Sequence, residues 1–260
     1  MKFRQMLLIA RGVWLEAIRR KEIYMIVVIS CLLLVGLGQV RFFGLESLSK
    51  FYRETALHVM SLATAFTVIV LASRQLPREF ETRSIYPLLA RPLHRGTFIL
   101  GKLLGVWAAA VFCFGLFLII YMMGCLSMGA PLYPMLLLQH SVLQVELFLV
   151  LASFCFLLSI LVNLDAAITL GSLFYLLSTA WATLSSQMYE PAGALLRGVI
   201  LVFTWLLPQF MLFDLSEKNV HGEVWGPVSW WVLGQLTVYA LIFSAGYILI
   251  TVALFQRRKL

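Results

Sequence analysis

The sequence predicts an all-α integral membrane protein with six transmembrane helices, and three observations carry that prediction. Of 260 residues, 62% are hydrophobic and 12% charged, against roughly 25% charged in an ordinary soluble domain. The apolar residues gather into runs, and a run of about 20 crosses the roughly 30 Å hydrocarbon core of a bilayer as a helix. Charged residues fall between the runs, with a bias of sign from one linker to the next. Together the runs leave little room for a soluble domain, so residues 1–260 are expected to form a single membrane domain.

The chain opens on Phe3, Met6, Leu7, Ala10, Val13, Trp14 and Ala17 at three- and four-residue spacing, interleaved with Lys2, Arg4, Arg11, Arg19, Arg20 and Lys21. That pattern predicts an amphipathic interfacial helix over 1–22, lying in the headgroup plane with Arg19 and Arg20 among lipid phosphates. The charged opening argues against a cleaved signal peptide. Apolar runs follow at about 23–40, 56–73, 98–123, 142–162, 166–184, 198–213 and 228–255.

Flanking charge decides how many of the seven cross. Segment 1–22 has six basic and two acidic residues, net +4. Segment 74–97 has five and two, net +3, and the tail has Arg257, Arg258 and Lys259, net +3. Segments 124–141 and 185–227 together hold two basic and four acidic residues, net −2. Basic segments stay in the cytoplasm, so both termini and 74–97 share that side and the number of crossings is even. The run 198–213, with Arg197 at its edge and Pro208 inside, is the weakest. It is expected as a re-entrant or outer-face segment shielded by protein. The resulting division is 23–73 for the first two crossings, 98–184 for the next three, 185–227 for the outer-face segment and 228–260 for the last crossing and tail. The formal charge of +8 is then a matter of topology and lipid, and no nucleic-acid partner is expected.

Catalytic and metal signals are weak. The four cysteines are widely spaced and His58, His94, His140 and His221 sit in separate segments, so no metal site is expected. Gly96 to Lys102 fits the first seven positions of a phosphate-binding loop, but Leu103 stands where Ser or Thr should hold magnesium, and no strand precedes it. It reads as a helix start with Lys102 snorkelling to the interface. Gly101 and Gly105, followed by Ala108–Ala110, make a small-residue packing face. Glu146, five residues into the fourth run, is either a polar group on a transport path or an interfacial carboxylate. Asp165 suits the N-cap of the fifth helix.

The stretch Leu76 to Gly101, LPREFETRSIYPLLARPLHRGTFILG, is too charged for lipid. Pro77 is expected to close the second crossing and 78–86 to form a short helix, with Pro87 and Pro92 bracketing Leu88-Leu89-Ala90. Its exposed apolar residues fit either a protein partner or a lipid surface.

From Arg78 to Lys102 this stretch resembles the first cytoplasmic coupling region of type-2 ABC exporter permeases, nearest the branch labelled multicopper-enzyme-maturation permeases. The basic amphipathic start is similar to that family's elbow helix, and Leu207-Pro208-Gln209-Phe210 with Phe213-Asp214-Leu215 to its Leu-Pro-x-x-x-x-Phe-Asp element. The resemblance implies a membrane subunit that pairs with a second permease, alike or different, and docks a separate ABC ATPase. Arg78, Glu79, Glu81, Ile85, Tyr86, Leu88 and Leu89 would form the ATPase-coupling surface, and Arg91 and Arg95 would hold lipid headgroups. ATP and magnesium would belong to the partner, with no cofactor or catalytic residue in this chain. A bacterial inner membrane is the implied location. The competing class is a secondary transporter or channel, which would usually show facing polar residues at mid-membrane.

Overall fold

A computed structural model describes residues 2–19, 21–39, 45–81, 95–191 and 193–257. Among these residues the structure is all helical, with no strand. The helices are α1 (Lys2–Ile18), α2 (Lys21–Gln39), α3 (Leu45–Glu81), α4 (Arg95–Ser127), α5 (Pro134–Leu161), α6 (Leu164–Tyr189), α7 (Ala194–Leu206), α8 (Ser216–Val220) and α9 (Trp230–Arg257), with a 3-10 turn at Phe210–Phe213. Five described helices are long and apolar enough to cross a membrane: Ser49–Glu79 within α3, α4, α5, Leu164–Trp181 within α6, and α9. The bent pair of α7 with the 3-10 turn and α8 adds a sixth candidate, and Tyr24–Gly36 in α2 is a shorter apolar stretch.

α3 is the organising helix. It runs 37 residues, about 55 Å at 1.5 Å per residue, and packs on α2, α4, α5, α6 and α8. α3 is helical from Leu45, ahead of the apolar run at 56–73, and Pro77 lies inside its last turns instead of ending it. The short helix predicted over 78–86 is, as far as Glu81, the end of α3. The expected boundary at 73 is therefore a change of surroundings, from buried apolar to charged, within one continuous helix.

α1 has a protein neighbour, not headgroups alone. It runs alongside α4 in the same direction, with Met6 and Ile9 at Gly101, Ala10 and Val13 at Gly105, and the Trp14 ring 5.1 Å from Phe112. Val13 and Ala17 are buried by this contact. A Cβ on Gly105 would sit 2.6 Å from Val13 Cβ and 2.8 Å from the Ala10 carbonyl oxygen, so the helices must separate to admit one. Gly105→Ala is expected to cost about 1–3 kcal/mol, the usual range for overpacking. Thermal unfolding of the purified protein in detergent checks this, and an unchanged midpoint would contradict the packing.

α9 lies along α5, and α3 is sandwiched between α4, α5 and α6. The core between them is lined by Phe114, Phe117, Phe148, Phe156, Phe210 and Phe213. Cys113, Cys125 and Cys155 are buried as free thiols, filling space as small apolar groups. α6 carries exposed Leu170, Leu173, Leu176, Leu177 and Leu184, the surface a lipid-facing helix requires.

Candidate functional site

One end of the bundle gathers the termini of α3, α4 and α9 around charged groups. Lys102, only 7% exposed, donates to Glu79 Oε1 at 2.6 Å and to Gln75 Oε1 at 3.2 Å, and its ammonium stands 5.7 Å from the Phe98 ring. Arg78 pairs with Glu16 of α1. Arg95 donates to the carbonyls of Phe255 (3.1 Å) and Gln256 (3.0 Å). There it meets the free carbonyls at the C-terminal end of α9, where a cation also complements the helix dipole. The Arg95 guanidinium lies 5.8 Å from the Phe255 ring, which stacks on Phe98 at 6.3 Å. An open cavity of about 750 Å³ beside this cluster is lined by Gly12, Glu16, Arg19, Arg74, Pro77 and Arg78 among others.

The described residues on either side of 82–94 are therefore held in place. Glu79 and Arg78 on one side, and Arg95 and Lys102 on the other, are tied to each other and to α1 and α9. Two residues singled out in the sequence meet in this cluster. Lys102 of α4 reaches the Glu79 carboxylate of the neighbouring α3. Glu79, expected on a docking surface, is the inward partner in that pair. Arg95 caps a helix end, and Arg19 is exposed at the cavity rim. Glu81 ends α3, while Ile85, Tyr86, Leu88, Leu89, Arg91 and Arg20 lie outside the described residues. The phosphate-loop lookalike lies in the first turns of α4, helical from Gly96 to Lys102.

A model of the ABC-2 family transporter protein matches residues 35–260 of this chain. The chain belongs to the ABC-2 transporter family. It is therefore a permease of an ABC transporter, a multi-pass membrane protein, and its family implies an ABC ATPase as partner. No curated protein matches the chain.

The opposite end of this ABC-2 permease is built from residues the sequence reading passed over. Arg53 is 1% exposed in α3. It donates to the carbonyls of Pro131 (3.1 Å), Asn219 (3.5 Å) and Val220 (2.8 Å) and faces the Tyr133 ring at 5.7 Å. It thus anchors the connection after α4 and the end of α8 to α3. Gln139 of α5 exchanges two hydrogen bonds with the backbone of Val228, at 2.8 and 2.9 Å. Buried His140 accepts from the Leu215 amide at 3.3 Å, and Gln144 donates to the Phe213 carbonyl at 3.4 Å. Asp214 Oδ1 accepts from the Ser216 amide (2.8 Å) and hydroxyl (2.5 Å). On the rim Lys50 donates to Glu223 at 2.8 Å and so holds the Glu223 carboxyl below its usual pKa, chiefly by that hydrogen bond. The signal for Arg53 was present in the sequence. Tyr52, Ala56 and Met60 continue the helical period upstream of the apolar run, and all three are buried.

α7 descends antiparallel to α6. Arg197 donates to the carbonyls of Tyr189 and Glu190 at 3.1 and 3.0 Å, and Trp181 donates to Thr204 at 3.0 Å. Pro208 falls in the break after α7, where its carbonyl accepts from Ser178 of α6. From there the chain bends by 47° and runs back to Arg53. Glu146 is the thirteenth of the 28 residues of α5, about 18 Å from its first residue, because α5 begins eight residues before the expected run. It accepts from Thr237 of α9 at 2.7 Å. The interfacial reading of Glu146 assumed a later helix start, so the earlier start places it well within the helix, beside a membrane-spanning neighbour. Asp165 lies in the first turn of α6, whose N-cap position is Asn163. Among the described residues no group of three or more His, Cys, Asp or Glu side chains is placed to hold a metal.

Proposed function

We propose that this ABC-2 permease is the membrane subunit of an ATP-driven exporter that docks a separate ATPase through residues 82–94 on the cytoplasmic side. The observation that supports it is the fixation of both ends of that connection by Lys102–Glu79, Arg78–Glu16 and Arg95 on the end of α9. A segment pinned in this way passes a push from a partner directly into α3, α4, α1 and α9, whereas a slack linker would absorb it. Ile85, Tyr86, Leu88 and Leu89 are the apolar anchors for the ATPase groove, and Glu81 its acidic edge. Arg91 and Arg20 hold lipid headgroups. ATP binding and hydrolysis take place on the partner, with its magnesium.

On this reading both termini are cytoplasmic, α2 supplies the first crossing, and α7 to α8 is a re-entrant hairpin, giving six crossings with α3, α4, α5, α6 and α9. The contacts of Ser178 with Pro208 and of Arg53 with Val220 support a chain that enters and leaves at one end. α1 serves as the elbow helix, and two permeases pair. The multicopper-enzyme-maturation branch and a bacterial inner membrane complete the proposal.

The test is co-purification of the tagged permease with the ATPase from native membranes. The paired change Leu88→Asp and Leu89→Asp is expected to lower the captured ATPase about tenfold or more, since a buried charge in an apolar docking contact costs over 1.4 kcal/mol. Capture unchanged by both substitutions would remove 82–94 as the docking segment.

A further inference from the structure

Between α3, α5 and α6, beneath the 3-10 turn at Phe210–Phe213, the structure holds a cavity of about 380 Å³. Small-molecule sites typically begin at this size. Its polar lining sets the oxygens of Gln144, Ser61 and Asp214 and the His58 ring beside the hydroxyls of Thr55, Tyr175, Thr179 and Thr183. Gln144 is 2% exposed and uses its amide nitrogen on the Phe213 carbonyl, leaving Oε1 buried without a partner among the described residues. Ser61, 6% exposed, likewise has a buried hydroxyl oxygen with no partner among the described residues. Asp214 presents its second carboxylate oxygen, Oδ2, 3.7 Å from His58 Nε2. His58 Nδ1 lies 2.9 Å from the Glu54 carbonyl, which can only accept, so Nδ1 carries the proton. Nε2 of that ring faces Asp214 Oδ2 across a gap longer than a hydrogen bond, open to a ligand atom between them. The remaining walls include Leu62, Leu147, Leu176 and Phe210, and among the described residues no lysine or arginine lines the space.

A buried polar atom left without a partner carries a real desolvation cost, and here two such oxygens, Gln144 Oε1 and Ser61 Oγ, line one space with the partly exposed Asp214 carboxylate and the exposed His58 ring. We propose that this cavity binds an amphiphile with a protonated primary amine headgroup and an apolar body, the amine donating to Asp214, His58 and the Gln144 or Ser61 oxygen. Taken with the exporter reading, on which it rests for its physiological meaning, the site names the substrate class as amine-bearing amphiphiles.

Octylamine, octanol and octanoate are titrated calorimetrically into the full-length permease in nanodiscs, with empty nanodiscs subtracted. Octylamine is expected to bind about tenfold tighter than octanol, the equivalent of one charge-assisted hydrogen bond, with octanoate weaker than both. Asp214→Asn, which keeps the Oδ1 acceptor for Ser216, is expected to abolish the preference. Gln144→Leu with Ser61→Ala, which leaves the Asp214 turn untouched, is expected to reduce it several-fold. Equal binding of amine and alcohol by the wild type, or a preference that survives both variants, would mean that the cavity takes only water or a lipid tail and would overturn the site. Captured ATPase is measured on the same preparations. ATPase capture without an amine preference defeats the site and leaves the exporter reading standing, whereas amine preference without capture upholds the site alone.

Discussion

Replacing Arg53 with methionine is expected to be the most damaging single change at the end of the permease remote from residues 82–94. Methionine retains much of the apolar stem but removes every donor from the Pro131, Asn219 and Val220 carbonyls. Hydrogen bonds to a charged group contribute about 1.5–3 kcal/mol each, and buried acceptors left unpaired add their desolvation cost, so a loss of at least about 3 kcal/mol follows. The loss is local in origin. The connection after α4 and the end of α8 both present their carbonyls to this one guanidinium of α3, while His140 and Gln139 of α5 hold the neighbouring backbone at Leu215 and Val228. Two readouts should move together: the melting midpoint in detergent, and the rate at which an external protease cleaves within 207–228 in sealed vesicles. Arg53→Lys should fall between, because a single ammonium cannot fork toward carbonyls from two segments. A variant with wild-type midpoint and protease resistance would show that Arg53 is an ornament of the interface and not its anchor.

The second large effect concerns Lys102 and Glu79. Their side chains are 9% and 15% exposed, so the pair lies in a medium that screens poorly. Removing one member of a buried pair typically costs about 3–5 kcal/mol, whereas replacing both with groups of similar volume is often neutral. Lys102→Met is therefore expected to destabilise strongly, since the Glu79 carboxylate loses its buried cation. Adding Glu79→Gln should restore most of the midpoint. Coupling should not return with it. If the pair fixes the ends of 82–94, the double variant folds, yet ATP-driven transport falls, because the α3 and α4 ends no longer move as one unit. A stable double variant with full transport would separate folding from force transfer and leave the pair a purely structural one.

How far the sequence led can be judged on these same residues. Hydropathy alone located α4, α5, α6 and α9, because a helix that must bury about 20 residues in hydrocarbon has to be written as a continuous apolar run. The period of three and four in Met6, Ala10, Val13 and Ala17 fixed the apolar side of α1, and Gly101 with Gly105 announced a close packing face. What they packed against was not legible, since a small-residue face specifies an approach distance and no partner. Pro77 misled for a related reason. Proline in the last turns of a long helix loses one hydrogen bond but is tolerated when neighbours hold the helix, and here α3 is held on several sides.

The charges divide in the same way. Sequence by itself determined that this is a helical membrane protein, since composition and run length are local properties that no tertiary arrangement can reverse. It also marked Arg78 to Lys102 as the exceptional connection. Only the tertiary structure decided which charges face lipid or water and which face each other: Lys102 inward to Glu79, Arg95 onto the end of α9, Arg53 onto the end of α8. The physical reason is that a cation in an apolar bundle takes the nearest buried acceptor, and the nearest acceptor is set by helix packing across 23 to 167 residues of chain, a distance that no local pattern encodes.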